Sequence, residues 1–92
     1  MSYVVYFLYS SSLDKYYIGI TNNLDKRIKF HNSGLQRWTK RGIPWIIKNS
    51  IKVNDKTFAL KLERKLKSYK SPKYIRYLFD KGRLAQLARA LT

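Results

Sequence analysis

Apolar positions along this chain change rhythm several times, and each change marks an element. Tyr3 to Ser10 reads YVVYFLYS, an almost unbroken apolar, aromatic and β-branched run. A run with no polar face predicts a strand covered on both sides. The polar stretch Ser10 to Lys15 predicts a turn, and YYIGIT over Tyr16 to Thr21 resumes strand-forming residues, so the two runs predict an antiparallel hairpin. Asn22 or Asn23 offers a helix N-cap, Asp25 suits the positive end of a helix dipole and Gly34 is a stop signal. They predict a helix from about Leu24 to Ser33, with Leu24 and Ile28 toward the sheet and Phe30 on another side.

Gly34 to Pro44 is irregular and basic. Trp45 to Val53 (WIIKNSIKV) predicts a third strand, with Asn54-Asp55 turning the chain. From Thr57 to about Tyr69 the rhythm is clearly helical: Phe58, Leu62, Leu66 and Tyr69 form one stripe and lysines fill the other side. Ser71-Pro72 reads as an N-cap followed by proline at the first helical position, opening a helix to about Lys81 that ends at Gly82. The order is β-β-α-β-α-α. Residues 83–92 (RLAQLARALT) are read as a tail, with Leu84, Leu87 and Leu91 on one side of a short amphipathic helix.

Composition narrows the function classes. Ninety-two residues suffice for one modest core, burying ~60–65% of the unfolded surface. Twenty Lys+Arg against five Asp+Glu give a net charge of +15, which calls for a polyanionic partner. No run approaches the length of a membrane span and the N-terminus lacks a basic-then-apolar leader, so nucleic acid is expected rather than a membrane. Cysteine is absent, which removes disulfides, thiolate catalysis and thiolate-bound zinc and agrees with a cytoplasmic location.

The acidic residues are few enough to take one by one. Asp14 falls in the hairpin turn, Asp25 in the first turn of a helix, Asp55 in a turn before a helix and Asp80 near a helix end. Glu63, the one glutamate, lies in the middle of the strongest helix. It reads either as a surface pair with Lys67 at i,i+4 or as the single carboxylate ligand of a divalent cation. His31 is the sole histidine, four residues after Arg27 on the same helical face. The segment Gln36-Arg37-Trp38-Thr39-Lys40-Arg41 interleaves an aromatic with basic residues. It reads as a solvated loop with one residue plugging the core, or as a backbone clamp in which Arg37, Lys40 and Arg41 meet phosphates and Trp38 stacks on an unpaired base. Gly19 marks either a strand interruption or a close approach of a phosphate or side chain to the backbone. Tyr3, Tyr9, Tyr69, Tyr74 and Tyr77 are expected to fill the core.

The tripeptides Val4-Val5-Tyr6 and Tyr17-Ile18-Gly19, followed eight residues after the glycine by Arg27 and then by His31, resemble the GIY-YIG nuclease superfamily. The resemblance spans roughly Tyr3 to Leu78. It is greatest to the small stand-alone members, in which Tyr17-Ile18-Gly19-Ile20-Thr21-Asn22 and Arg27 with His31-Asn32-Ser33-Gly34 recur in nearly this form. It implies an α/β (α+β) fold, a small central three-stranded, mostly antiparallel sheet flanked by helices, with residues 1–82 as the nuclease domain. It also implies a metal-dependent DNA endonuclease, in repair or recombination, with Tyr6, Tyr17, Arg27 and His31 as the catalytic set. Glu63 would hold one Mg2+ or Mn2+, Tyr17 would be the candidate general base toward water and Arg27 would grip the scissile phosphate with a fork that lysine lacks. Three departures accompany it: the first tripeptide keeps only its tyrosine, Ile20 stands where DNA-repair members often carry lysine, and Ile75 falls near the place of a downstream asparagine. The rival readings are a non-catalytic basic nucleic-acid-binding domain and a structural partner in a repair complex, where a protein partner would supply specificity.

Overall fold

The computed structural model describes residues 2–84. Three strands, β1 (Tyr3–Ser10), β2 (Lys15–Thr21) and β3 (Trp45–Val53), combine with three helices, α1 (Leu24–Asn32), α2 (Lys56–Ser68) and α3 (Pro72–Asp80), and a short 3-10 turn covers Lys40–Gly42. The order β-β-α-β-α-α is the expected one, and most element ends fall within a residue or two of those read from the sequence. Residues 85–92, the greater part of the proposed tail, lie outside the described residues.

The sheet has the order β2-β1-β3, and β1 is antiparallel to both neighbours. Its central place explains the missing polar face. Val5 and Phe7 point to one side, where Ala59, Leu62 and Leu66 of α2 and Ile75 and Leu78 of α3 complete the larger core. Tyr6 and Leu8 point to the other, packing with Trp45 and with Leu24 and Ile28 of α1. Each buried leucine contributes ~1.5–3 kcal/mol relative to an exposed one.

The helix signals act as read. Asn23 accepts from the Lys26 amide at 3.1 Å, Asp55 from Phe58 at 2.7 Å and Ser71 from Tyr74 at 3.2 Å. Among the described residues no helix is long and apolar enough to cross a membrane.

The aromatic expectations need correction at two positions. Tyr74 and Tyr77 are 44% and 41% exposed rather than in the core. In α3 Ile75 and Leu78, three apart, are buried in the core and Phe79 packs against it, so positions 74 and 77 fall on the flank, where the two rings stack at 6.1 Å. Tyr9 is half-buried, its hydroxyl donating to Asp14 at 2.8 Å.

These placements set a stability contrast. Leu62→Ala should cost ~2–5 kcal/mol by leaving a cavity at a fully buried site. Tyr77→Ala should cost less than ~1 kcal/mol. Urea unfolding of both variants checks this, and equal losses would contradict the packing described.

Candidate active site

The site starts from a pairing across the hairpin: Tyr6 of β1 stands directly opposite Gly19 of β2. A side chain at position 19 would overlap the Tyr6 phenol, so the glycine is there to let a side chain lie against the backbone. Lying flat over Gly19, Tyr6 is 1% exposed, and its hydroxyl meets His31 Nε2 at 3.1 Å.

His31 is fully buried. Its Nδ1 lies 3.0 Å from the Thr39 hydroxyl, and that hydroxyl is 3.5 Å from the Gln36 carbonyl. With Thr39 donating to the carbonyl, Thr39 accepts from Nδ1–H and Nε2 is left to accept the Tyr6 proton, an assignment made from the network. Burial lowers the imidazole pKa, and the positive charge of Arg27 lowers it further. The ring is therefore neutral near pH 7. Burial raises the Tyr6 pKa, and Arg27 opposes that shift.

Tyr17 is half-buried, with its ring 6.4 Å from that of Tyr6 and 5.1 Å from His31. Arg27 lies four residues before His31 on α1, its guanidinium 5.0 Å above the Phe30 ring. Its Nε is buried without a hydrogen-bond partner, an unusual state for so polar a donor. Glu63 projects from α2 with its side chain 20% exposed, and Lys67 Nζ is 3.5 Å from the carboxylate. Among the described residues no three His, Cys, Asp or Glu side chains cluster as a metal cage. A lone, partly exposed carboxylate does fit Mg2+, which keeps several waters and shares its remaining positions with substrate phosphates.

The structure brings Tyr6, Tyr17, Arg27 and His31 together on one face of the β1–β2 hairpin. Arg37, Lys40 and Arg41 are exposed on the loop after α1, and Trp38 is 79% exposed, so it plugs no core. Arg37, Trp38 and Arg41 share a shallow hollow. Ile20 packs against the larger core and Ile75 is buried in it, so neither place supplies a polar group to the site. A groove of about 550 Å3 runs along the outer side of β2, lined by Phe7, Tyr16, Tyr17, Ile18, Gln36, Trp38, Lys67, Lys70, Ser71, Pro72 and Ile75.

Sequence reasoning missed three supporting residues. Thr39 and Gln36 complete the His31 network, and Asn32 clamps the backbone of Trp45, accepting from its amide at 2.7 Å and donating to its carbonyl at 3.1 Å. Each is a small polar residue in an irregular or terminal position, where no periodicity flags a buried partner.

The model of the GIY-YIG catalytic domain family matches residues 2–75. Among solved structures, the solution NMR structure of a UPF0213 protein from Bacillus halodurans is similar, with 29% identity, a TM-score of 0.47, and coverage of 74% of this chain and 72% of that one. No curated protein matches the chain.

The buried imidazole makes stability depend on pH in a defined direction. Below its ordinary pKa of about 6.5, the unfolded chain takes up a proton that the folded His31 resists. Stability should therefore fall as the pH drops from about 6.5 toward the lower folded value, then level off. This is the one histidine in the chain, and the ordinary carboxylate range lies lower. Thermal unfolding between pH 7.5 and 5 checks it: His31→Gln should flatten the slope, and an imidazole NMR titration centred at or above 6.5 would contradict it.

Proposed function

This chain belongs to the GIY-YIG catalytic domain family, a nuclease-type family, and on that premise we propose that it is a metal-dependent endonuclease hydrolysing phosphodiester bonds in DNA. The observation that carries the reading is the pairing of two phenols with one arginine: Tyr6 and Tyr17 lie ring to ring, and Arg27 lies close enough to bias the ionisation of Tyr6 and of His31. A phosphodiester needs those functions, a proton acceptor for water and a planar cation for the phosphate.

The residues divide the work by exposure. Tyr17, the less buried phenol, acts as phenolate: it takes one proton of the attacking water and becomes the neutral phenol. The hydroxide bonds to phosphorus, and the departing alkoxide takes its proton from solvent. Tyr6 and neutral His31, tied to each other by a hydrogen bond, pack their rings against Tyr17 and hold it in place. Arg27 binds the scissile phosphate by its guanidinium fork. Glu63, whose carboxylate pairs with Lys67 here, would hold one Mg2+ or Mn2+. The cation's chemistry, when bound, is Lewis-acid stabilisation of charge on the phosphate oxygens. Residues 1–82 form the nuclease domain in this reading, and repair or recombination is the setting proposed for it.

The charge of +15 favours a second reading, a basic domain that binds nucleic acid without cutting it, in a complex whose other subunits act. Substitutions that leave the charge nearly unchanged separate the two. Arg27→Lys should reduce cleavage of labelled DNA by ~10²–10³ with binding nearly unchanged. Glu63→Gln should abolish Mg2+-dependent cleavage and leave affinity close to wild type. Wild-type protein that binds these DNAs in a salt-dependent way but cuts none, with Mg2+ or Mn2+, would establish the binding-only reading.

A further inference from the structure

Among the described residues, β2 is an edge strand hydrogen-bonded only to β1, and the groove of about 550 Å3 lies along its free side. That volume lies within the ~300–1,000 Å3 typical of small-ligand sites. Its walls are unlike the rest of this lysine-rich surface. Phe7 and Ile75 from the larger-core face of the sheet, Tyr17 from the opposite face and Trp38 from the loop after α1 give it an apolar and aromatic lining. Lys67 and Lys70 supply positive charge and no competing carboxylate lines it.

Two details point to a ligand. Trp38 is 79% exposed although it is the largest apolar side chain of its loop, and among the described residues it joins no core cluster. Lys70 has φ of +53°, the left-handed conformation at the end of α2 where glycine is the favoured residue. A lysine there costs backbone strain and returns nothing to the core, since it is exposed. Its ammonium at the groove is what the position retains.

We propose that this groove seats one unpaired nucleobase of a DNA strand against Trp38, with Lys67 and Lys70 on the flanking phosphates, so that the neighbouring phosphodiester is presented to Tyr17. Any base has a π-face for Trp38, so the preference is for unpaired structure and not for sequence. Lys67 joins the groove to the catalytic side, because it also pairs with Glu63. The inference rests on the nuclease reading and adds its substrate class: DNA with an unstacked or single-stranded nucleotide at the cleavage site.

The test is binding in EDTA, so that no turnover is needed. A short single-stranded oligonucleotide carrying one 2-aminopurine is compared with a duplex of the same length. Stacking should quench the probe's emission. Trp38→Ala should remove the quenching and weaken single-strand binding by roughly 5- to 150-fold, the span of one base–aromatic stack, with duplex binding changed less than about twofold. Lys70→Gly, which relieves the backbone, should not lower Tm and should make the single-strand salt slope shallower by about 0.7. A Tm loss in that variant would show a structural lysine and overturn its role here. Unquenched probe, or equal losses on single strand and duplex, would overturn the groove, and a peptide strand paired on the β2 edge would become its better occupant. Cleavage with Mg2+ distinguishes the two layers: wild type cutting DNA with no preference for unpaired nucleotides overturns the groove alone, whereas quenching without any cleavage supports the groove and overturns the nuclease reading.

Discussion

The contact on which the site depends is the one between the Tyr6 ring and the bare backbone of Gly19. It sets the depth of the phenol, and that depth fixes the rest. Only a flat-lying Tyr6 reaches His31, and only a buried His31 has a reason to bind Thr39. Through Thr39 the loop after α1 is tied to the hairpin, and Trp45, whose indole donates to the Thr39 carbonyl at 2.6 Å, ties β3 to the same point. A polar chain four groups long thus runs through the smaller core with each buried member satisfied, as a low-dielectric interior requires.

Charge is the second constraint. With twenty cationic side chains against five acids, self-repulsion opposes compaction, and the acids are placed where each does something local. Asp14 anchors Tyr9, Asp25 lies in the first turn of α1, Asp55 caps α2, and Asp80 lies 3.6 Å from Arg76 and accepts from Asn49. Glu63 alone sits beside the proposed catalytic groups. Surface pairs such as these contribute ~0–1 kcal/mol each, so the fold rests on the two apolar layers around β1 and not on ion pairing.

Most of the fold was legible because its signals are local. The apolar and β-branched runs of β1 and β2, the caps at Asn23, Asp55 and Ser71, and the stripe of α2 each depend on residues within a turn or two of one another. The family motifs were legible for the same reason, since Tyr6, Tyr17, Gly19, Arg27 and His31 fall within twenty-six positions. What escaped were relations between distant segments. Asn32 with Trp45, or Thr39 with His31, looks in sequence like any polar residue near a loop. Tyr74 and Tyr77 were misplaced because aromatic character says that a ring is apolar, while its side of a nine-residue helix is decided by which neighbours reach the core.

The strand order β2-β1-β3 has a consequence in time. The β1–β2 pairing closes a short turn and forms early, whereas β3 joins β1 only after a much longer stretch of chain has been gathered. Until that closure Tyr6 and Leu8 have no Trp45 to pack against, and the indole cannot reach Thr39. The hairpin therefore carries both phenols from the start, but their surroundings are completed by a long-range pairing. Assembly of the site waits on β3, so no chain that has failed to close β3 presents finished chemistry to a nucleic acid.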